Sequence, residues 1–407
     1  MAAHELDQRP VAHPAAGFQH GVVVDEPLTA AAVPSLEPRL DVVPEDGPAG
    51  LIAFALDNLA RMELDGGLFC EELVAGDPFP RGLNLRYSLM TCIGLHKASA
   101  TGYVHRFDLE RLHAALLDRL DAPQLRPGDF GLHLWADALT GGEHGDDLLR
   151  RLTRALDEGH LAACEGMEIG WIVQGLALQV AGGASAEARD ALASTLDHAI
   201  ARAHPGSGLF EHTGTGFRRR FPNFATEIYN VLALSTVASL GLDHDGRALA
   251  AARRAGERLL ELQLPDGGWP WLYDARSGRI VERYEVYTVH QDAMAPMGLL
   301  QLAEATGDRA FVEAAGRGLN WIYGANELRR PMLHAGDQIL CRSIRRRHPW
   351  SRLFLYGNTA AATVTGAGCA LAGAGTVELY RSDRPYHLGW VLEAWCGRED
   401  VLAGSRA

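Results

Sequence analysis

The sequence predicts an all-α protein in which about six helical hairpins form an (α/α) toroid or barrel, with a short β-hairpin inserted near residues 270–289. After residue 49, apolar residues recur at helical spacing in about twelve segments, whereas strand-like alternation is scarce. A Gly-rich turn beside an aromatic residue occurs four times, at 65–69, 128–131, 206–210 and 266–270. These turns are separated by about one helical hairpin each, which indicates a repeat of helix pairs.

A closed ring is favoured over an open stack of hairpins. Helix pairs that cannot bury their apolar faces alone must pack on one another, either as a solenoid or as a toroid. The repeats here are irregular and carry long loops, and this favours the toroid because it leaves no terminal face exposed. An open solenoid is the alternative.

The elements follow one another along the chain with short connections. Residues 1–48 are rich in Pro, Ala and Val without a helical period, which predicts an extended or partly disordered arm with a short strand at 21–25. The toroid domain is expected to span residues 49–400. Its helices are expected at 51–62, 85–98, 109–120, 132–141, 147–159, 168–183, 188–203, 224–241, 247–263, 295–307, 310–325 and 386–395.

The β-hairpin insertion is expected to turn at Gly278. Its returning strand would run through residues 279–289. Because side chains alternate along a strand, Arg283, Glu285 and Tyr287 would share one face of it.

Composition and charge limit the classes of function. The 407 residues are 47% hydrophobic, enough for one large core or two domains, and the formal net charge of −13 disfavours a general role on nucleic acid or anionic lipid. No apolar run reaches the roughly 18 residues that a membrane helix needs, and no signal-peptide pattern is present. Six scattered cysteines form no C-x-x-C pair, which predicts reduced thiols and no zinc ribbon. We therefore predict a cytoplasmic protein with no metal or other cofactor.

One turn carries a resemblance to known proteins. Residues 263–269, QLPDGGW, have the pattern Q-x-x-D-G-x-W. This turn resembles one in (α/α)-toroid proteins, including terpene cyclases, protein prenyltransferase β subunits, glucuronyl C5-epimerases and toroidal polysaccharide lyases. The longer segments 266–297, 218–229, 321–328 and 384–390 are similar to uncharacterised proteins associated with polysaccharide biosynthesis. The resemblance covers most of residues 80–396 and implies a toroid associated with polysaccharide biosynthesis, without a particular activity, and a structural role for the turn itself.

Groups that can exchange protons concentrate between residues 266 and 296. His290 and Asp292 are expected at or just before a helix N-terminus, where unpaired backbone N–H groups favour an anion or an acidic side chain. We predict that Tyr284, Tyr287, His290 and Asp292 are catalytic, because a ring would present their loop at its mouth. The structural alternative is that Asp292 caps the helix and His290 is a satisfied core histidine.

Further candidates lie elsewhere in the chain. Glu168, beside Ile169 and Trp171, is predicted to be a partly buried carboxylate with a raised pKa, suited to general-acid catalysis. Arginine offers paired donors for a carboxylate, and tryptophan can stack on a sugar ring. The predicted substrate-binding residues are Arg86, Tyr87, Arg219, Arg220, Asn223, Trp269, Trp271, Tyr386 and His387. The Arg-rich run 341–352, which also contains Trp350, is expected to face solvent; the alternative is that one of its arginines binds an anion.

These residues favour an enzyme that acts on an acidic saccharide or another anionic small molecule. A lyase or C5-epimerase removes the proton next to a uronate carboxylate, which requires a base, an acid and a cation beside the carboxylate. A glycosidase would instead require two carboxylates, for which Glu168 and Asp292 are the candidates.

Two other classes of function are alternatives. The first is a non-catalytic toroid that binds saccharide or acts as a scaffold in polysaccharide biosynthesis. The second, a terpene-cyclase-like enzyme, is disfavoured because neither a D-x-D-D nor a D-D-x-x-D motif occurs in suitable form.

Overall fold

The computed structural model describes residues 47–77, 79–157, 161–334, 336–347, 351–365 and 377–402. These ranges contain thirteen α-helices and nine short strands. The helices are α1 (Pro48–Leu59), α2 (Leu85–Ala100), α3 (Leu109–Leu117), α4 (Pro127–Leu139), α5 (Gly145–Asp157), α6 (Gly166–Ala181), α7 (Ala186–Ala201), α8 (Phe224–Ser239), α9 (Arg247–Leu262), α10 (Ala295–Thr306), α11 (Arg309–Ile322), α12 (Ser351–Thr365) and α13 (Pro385–Trp395). The strands are β1 (Leu73–Val74), β2 (Leu272–Asp274), β3 (Arg279–Glu282), β4 (Val286–Tyr287), β5 (Leu333–His334), β6 (Ile339–Leu340), β7 (Ser343–Arg346), β8 (Val377–Tyr380) and β9 (Ser382–Asp383). Trp350, the strand expected at 21–25 and nearly all of the expected N-terminal arm lie outside the described residues.

Six helices form an inner ring in the order α2, α4, α6, α8, α10 and α13, and α13 packs back against α2. Five outer helices, α3, α5, α7, α9 and α11, each pack on the inner helix that precedes them in the chain. The sixth outer position belongs to α1, which packs on α13. The chain therefore has the predicted (α/α)-toroid fold of six hairpins. Twelve of the thirteen helices correspond to the predicted segments.

The inner and outer helices differ in how they are buried. In α8, every residue from Phe224 to Val237 is buried, as expected for a helix that is covered on all sides. In α9 the buried residues, which include Ala248, Ala255 and Leu262, form one stripe, and the remaining face is charged. The sequence pattern thus assigns each helix to a layer.

The ring closes through a contact between two glycines. A Cβ atom on Gly94 of α2 would lie 2.0 Å from the carbonyl oxygen of Gly389 in α13. Because a side chain at either position would meet the opposing backbone, only glycine allows these two helices to approach so closely.

Polar side chains begin several inner helices. Asn84 and Asn223 precede α2 and α8, and their side chains accept hydrogen bonds from backbone N–H groups of the first turn. In α4 and α6 the carboxylates of Asp129 and Glu168 accept hydrogen bonds from the backbone N–H groups of Arg126 and Glu165, at 2.8 and 3.0 Å. Carboxylates therefore occur in the first turns of these inner helices partly because they cap the helices.

Three of the four predicted Gly-rich turns are turns in the structure, at 65–69, 206–210 and 266–270, and each contains a glycine with positive φ. The fourth prediction is wrong, because residues 128–131 lie inside the first turn of α4. Glycine is needed there for helix packing, since a Cβ atom on Gly131 would lie 2.7 Å from the backbone of Ile172.

The predicted β-hairpin forms between β2 and β3, which pair antiparallel. The returning strand ends at Glu282, however, and β4 pairs with β7 in a separate three-stranded sheet with β8. The expectation of one continuous strand with Arg283, Glu285 and Tyr287 on one face is therefore wrong. The break lets Tyr287 join the residues at the end of the ring.

Three further observations concern the expected class of protein. None of the helices in the described ranges is long and apolar enough to cross a bilayer. Five cysteines are described; they are buried and not disulfide-bonded, and Cys369 lies outside the described residues. Within those same ranges, no three His, Cys, Asp or Glu side chains converge as metal ligands would.

Candidate active site

The first turns of the inner helices meet at one end of the ring. Side chains from the first two turns of these helices, or from the residues just before them, connect each inner helix to the next around the ring. The successive pairs are Arg86–Asp129, Arg126–Glu168, Gly166–Asn230, Phe224–His290, Asp292–His387 and Tyr386–Tyr87. The six inner helices are therefore parallel, and residues far apart in sequence converge at their N-terminal end.

An imidazole and a carboxylate form a buried pair between α10 and α13. The Nε2 atom of His387 lies 2.8 and 3.0 Å from the two carboxylate oxygens of Asp292. Burial raises the pKa of Asp292, and the neighbouring His387 partly offsets that shift. Because the carboxylate accepts a hydrogen bond from Nε2–H, Nδ1 is the ring nitrogen that carries no proton whenever the imidazole is neutral. The pair can therefore present an oriented base.

A second imidazole, His290, lies in an aromatic environment. It begins a single π-helical turn, His290–Met294, that leads into α10. Its ring lies 4.8 Å from that of Phe224, 5.2 Å from that of Tyr287 and 5.9 Å from that of Trp271, centre to centre, and it is parallel to the indole. Within the described chain neither ring nitrogen has a hydrogen-bond partner. Burial, helped by the charges of His387 and Arg342, lowers the pKa of His290 to about 3, so the ring is neutral at pH 7.

Arg342 brings a cation to the same place. It precedes β7, and its carbonyl oxygen accepts a hydrogen bond of 2.9 Å from the backbone N–H of Thr288. Its guanidinium lies 5.3 Å from the ring centre of Tyr287, and the residue is 4% exposed. The Nε and Nη1 atoms contact no hydrogen-bond acceptor in the described chain. Burial disfavours the charged form, but Tyr386, Tyr87, Tyr287 and Glu285 together raise the pKa of Arg342 above its usual range.

Two tyrosines lie beside Arg342 where α13 meets α2. The rings of Tyr87 and Tyr386 lie 4.5 Å apart. Next to them, Arg86 donates two hydrogen bonds to Asp129, at 2.5 and 2.8 Å, and its guanidinium lies 5.3 Å from the Trp171 ring centre. This arginine is therefore an ion-paired part of the ring wall.

The structure brings together seven of the predicted site residues around Arg342 and leaves Arg86 at their edge. They are Tyr87, Trp271, Tyr287, His290, Asp292, Tyr386 and His387. We refer to these seven residues with Arg342 as the mouth cluster. A base, a cation and neutral hydrogen-bonding groups in one buried place can bind an anionic molecule and move a proton on it.

Two predicted catalytic residues lie outside the mouth cluster. The hydroxyl of Tyr284 donates a 2.9 Å hydrogen bond to Glu327. Glu168 is fully buried, caps α6 and pairs with Arg126 at 3.0 Å, and its pKa is raised by burial although Arg126 opposes the shift. Both side chains are already bonded to protein groups.

Four predicted substrate-binding residues also have structural partners. Arg219 pairs with Glu211 and Arg220 with Asp274, Asn223 caps α8, and the fully buried Trp269 donates from Nε1 to a backbone carbonyl. The turn that contains Trp269 is held by Gln263, whose Nε2 donates to the carbonyl oxygens of Gly267 and Ala314. These contacts explain the Q-x-x-D-G-x-W pattern structurally.

Arg342 is not among the predicted substrate-binding residues, although anion binding by one arginine of its run was the alternative to a solvated loop. The run 341–352 was expected to face solvent, and this is wrong for Arg342 and Arg346, which are 4% and 7% exposed. Arg345 and Arg347 are more exposed and pair with Glu378. Strand alternation, which puts residues 342, 344 and 346 on one face, is the signal that could have separated the two groups.

The chain matches no family model and no curated protein by sequence. Its fold is similar to solved structures of sugar-active enzymes. Cellobiose 2-epimerase from Bacillus thermoamylovorans matches with a TM-score of 0.57 and 10% identity, over 85% of this chain and 98% of that one. An unsaturated glucuronyl hydrolase from a Bacillus species has a TM-score of 0.54 and 14% identity, over 86% and 95%. A possible GH105 family member from Salmonella enterica has a TM-score of 0.56 and 12% identity, over 91% and 98%. The likeness shows the (α/α)-toroid fold.

Proposed function

We propose that this protein is a carbohydrate-active enzyme that removes a proton from a carbon of an acidic saccharide, in the manner of an epimerase or a lyase. The observation that carries the proposal is the mouth cluster. In it, the oriented His387–Asp292 pair and the neutral His290 lie together with the buried Arg342, whose Nε and Nη1 atoms have no acceptor among the described residues. The similarity in fold to sugar epimerases and hydrolases supports a saccharide substrate without specifying the reaction.

The proposed reaction begins at the carbon next to a carboxylate. His387 accepts the proton of that carbon through Nδ1 while the electron pair of the C–H bond moves into the carboxylate to form an enediolate. Arg342 stabilises the negative charge as it develops, and it does so more strongly in a buried site than in water. Return of a proton to the other face gives the epimer. The neutral ring of His290 acts as a relay: it gives its N–H proton to the carbon while its second nitrogen takes a proton from water, and the proton held by His387 returns to solvent. Loss of a substituent from the neighbouring carbon gives the unsaturated product of a lyase instead.

The arrangement of carboxylates disfavours the glycosidase alternative. That reaction needs two carboxyl groups that face the substrate. Glu168 is bonded to Arg126 and to the backbone, and Asp292 is bonded to His387. Either one would have to give up a protein contact before acting on a substrate.

Deuterium exchange tests the proposal directly. The protein is incubated in D2O with saccharides that contain uronate, and NMR follows replacement of the C–H next to the carboxylate by C–D. We expect exchange with the wild-type protein and a loss of about 100-fold or more in His387→Gln. His244→Gln is the matched control, because His244 is exposed and lies outside the mouth cluster. This variant should catalyse exchange at the wild-type rate.

Two variants, one at Arg342 and one at the nearby Arg345 of β7, test the role of Arg342. Arg342→Gln should slow exchange about 100-fold or more, because it removes the cation at the developing charge. Arg345→Gln removes an arginine that is ion-paired with Glu378 and should leave the rate nearly unchanged. If uronate saccharides bind but the wild-type protein exchanges none of their C–H protons, the protein is a binding or scaffolding toroid and the proposal fails.

A further inference from the structure

The interior of the ring is filled directly behind the mouth cluster. One helical turn further in, Trp135, Trp171, Tyr229 and Trp390 occupy the space between α4, α6, α8 and α13, and each is at most 1% exposed. The ring centres of Trp135 and Trp390 lie 5.4 Å apart, those of Trp171 and Tyr229 5.3 Å and those of Tyr229 and Trp390 6.1 Å. A ligand that enters at the mouth therefore cannot pass through the ring.

The groups proposed to react are buried at the N-terminal end of the inner helices, in front of these aromatic side chains. His290 is fully buried, and His387 and Arg342 are 3% and 4% exposed. Of the aromatic side chains around them, Trp271 and Tyr287 are partly exposed. Trp271 is parallel to the ring of His290, and the Tyr287 ring lies 5.3 Å from the Arg342 guanidinium; each ring is more exposed than the group it contacts. The route from solvent to the reacting groups therefore passes beside them.

We infer that the saccharide unit on which the protein acts is a free monosaccharide or the terminal unit of a chain, and not a unit in the interior of a polysaccharide. A terminal unit has one glycosidic link, which can leave toward solvent on the side of Trp271 and Tyr287. An interior unit has two links, and both would have to leave on that same side, because the reacting groups are buried and the aromatic floor blocks the other side. This inference rests on the proposed function and restricts its substrate class.

The experiment uses the wild-type protein and three uronate substrates with the same linkage. One is the free uronic acid, one is an oligosaccharide with both terminal and interior uronate units, and one is the same chain with neutral sugars at both ends. NMR in D2O assigns each exchanged C–H to its position in the chain. We expect exchange in the free acid and at a terminal uronate, at a rate at least about 100-fold above that of any interior unit. The chain with neutral ends should remain unlabelled.

The possible results distinguish failure of this inference from failure of the proposed function. Exchange at interior units at a rate similar to that at the termini overturns the inference and leaves the proposed reaction intact. Exchange in the chain with neutral ends would have the same consequence. Absence of exchange in all three substrates removes the proposed function itself, and the inference with it.

Discussion

Replacing His290 by phenylalanine should make the protein more stable. At neutral pH His290 is an uncharged ring whose two nitrogens have no partner in the described chain, and its neighbours are Phe224, Trp271 and Tyr287. A buried polar group without a hydrogen bond costs about 1–3 kcal/mol, and an aromatic side chain of similar size would avoid that cost. We therefore expect His290→Phe to raise the free energy of unfolding by roughly 1–3 kcal/mol at pH 7.5.

The gain in free energy of unfolding that His290→Phe produces should increase as the pH falls. The folded protein holds the pKa of His290 at about 3, below the ordinary value of 6.5, so between these values the unfolded chain binds a proton that the folded chain does not. The stability of the wild-type protein then falls by about 1.4 kcal/mol per pH unit from this group alone, which is about 2 kcal/mol at pH 5. Phenylalanine has no proton to bind and removes this contribution.

Urea unfolding at pH 7.5 and pH 5, followed by circular dichroism, measures both effects. The matched control is His244→Gln, because His244 is exposed and should show no difference at either pH. A His290→Phe protein that is less stable than the wild type at pH 7.5, with a difference that stays constant down to pH 5, would refute the reasoning. That result would mean that the imidazole makes favourable hydrogen bonds or is charged in the folded state.

Three further changes have defined outcomes. Asp292→Asn should lower the deuterium exchange rate by about 100-fold or more, since His387 loses the carboxylate that orients it; an unchanged rate in exchange assays would contradict this role. Gly94→Ala should destabilise the protein by about 3 kcal/mol or prevent folding, because its Cβ atom meets the Gly389 carbonyl oxygen. Thermal unfolding measures this loss, and a wild-type Tm would show that α2 and α13 can move apart. Tyr284→Phe removes one hydrogen bond to a carboxylate and should cost about 1 kcal/mol in urea unfolding without changing the exchange rate. A large drop in that rate would support the catalytic role that the sequence suggested.

The helices were predictable because most of them bury an apolar face with the period of an α-helix. The exception, α12, shows why: its buried side chains include Asn358, Thr359 and Ala362, which are polar or small and produce no apolar stripe. One of them, Asn358, donates a 2.7 Å hydrogen bond to Glu282 on β3. A helix that is held in place by polar contacts leaves little trace in a hydrophobicity pattern.

The mouth cluster was predictable only where its residues are close in sequence. Tyr287, His290 and Asp292 lie close together just before α10, and the apolar period of that helix predicts where they are. Their partners arrive from elsewhere: His387 is 95 residues from Asp292, and Arg342 comes from the strand region after α11. Local sequence does not reveal which arginine of a run lacks an acceptor, because that depends on where distant carboxylates fold.

The first and last helices of the toroid domain complete the same hairpin, and this has a consequence for the order of folding. During synthesis, α1 emerges before the other described helices, but its partner α13 begins only at residue 385. Until then the earlier hairpins can pack only as an open arc, with the α2 side of the final contact exposed. The long sequence separation of this last contact predicts a slow concluding step, and an incomplete chain would expose apolar surface that invites aggregation or chaperone binding. His387 lies on that last helix, so the nascent chain acquires its proposed base only when the ring is complete.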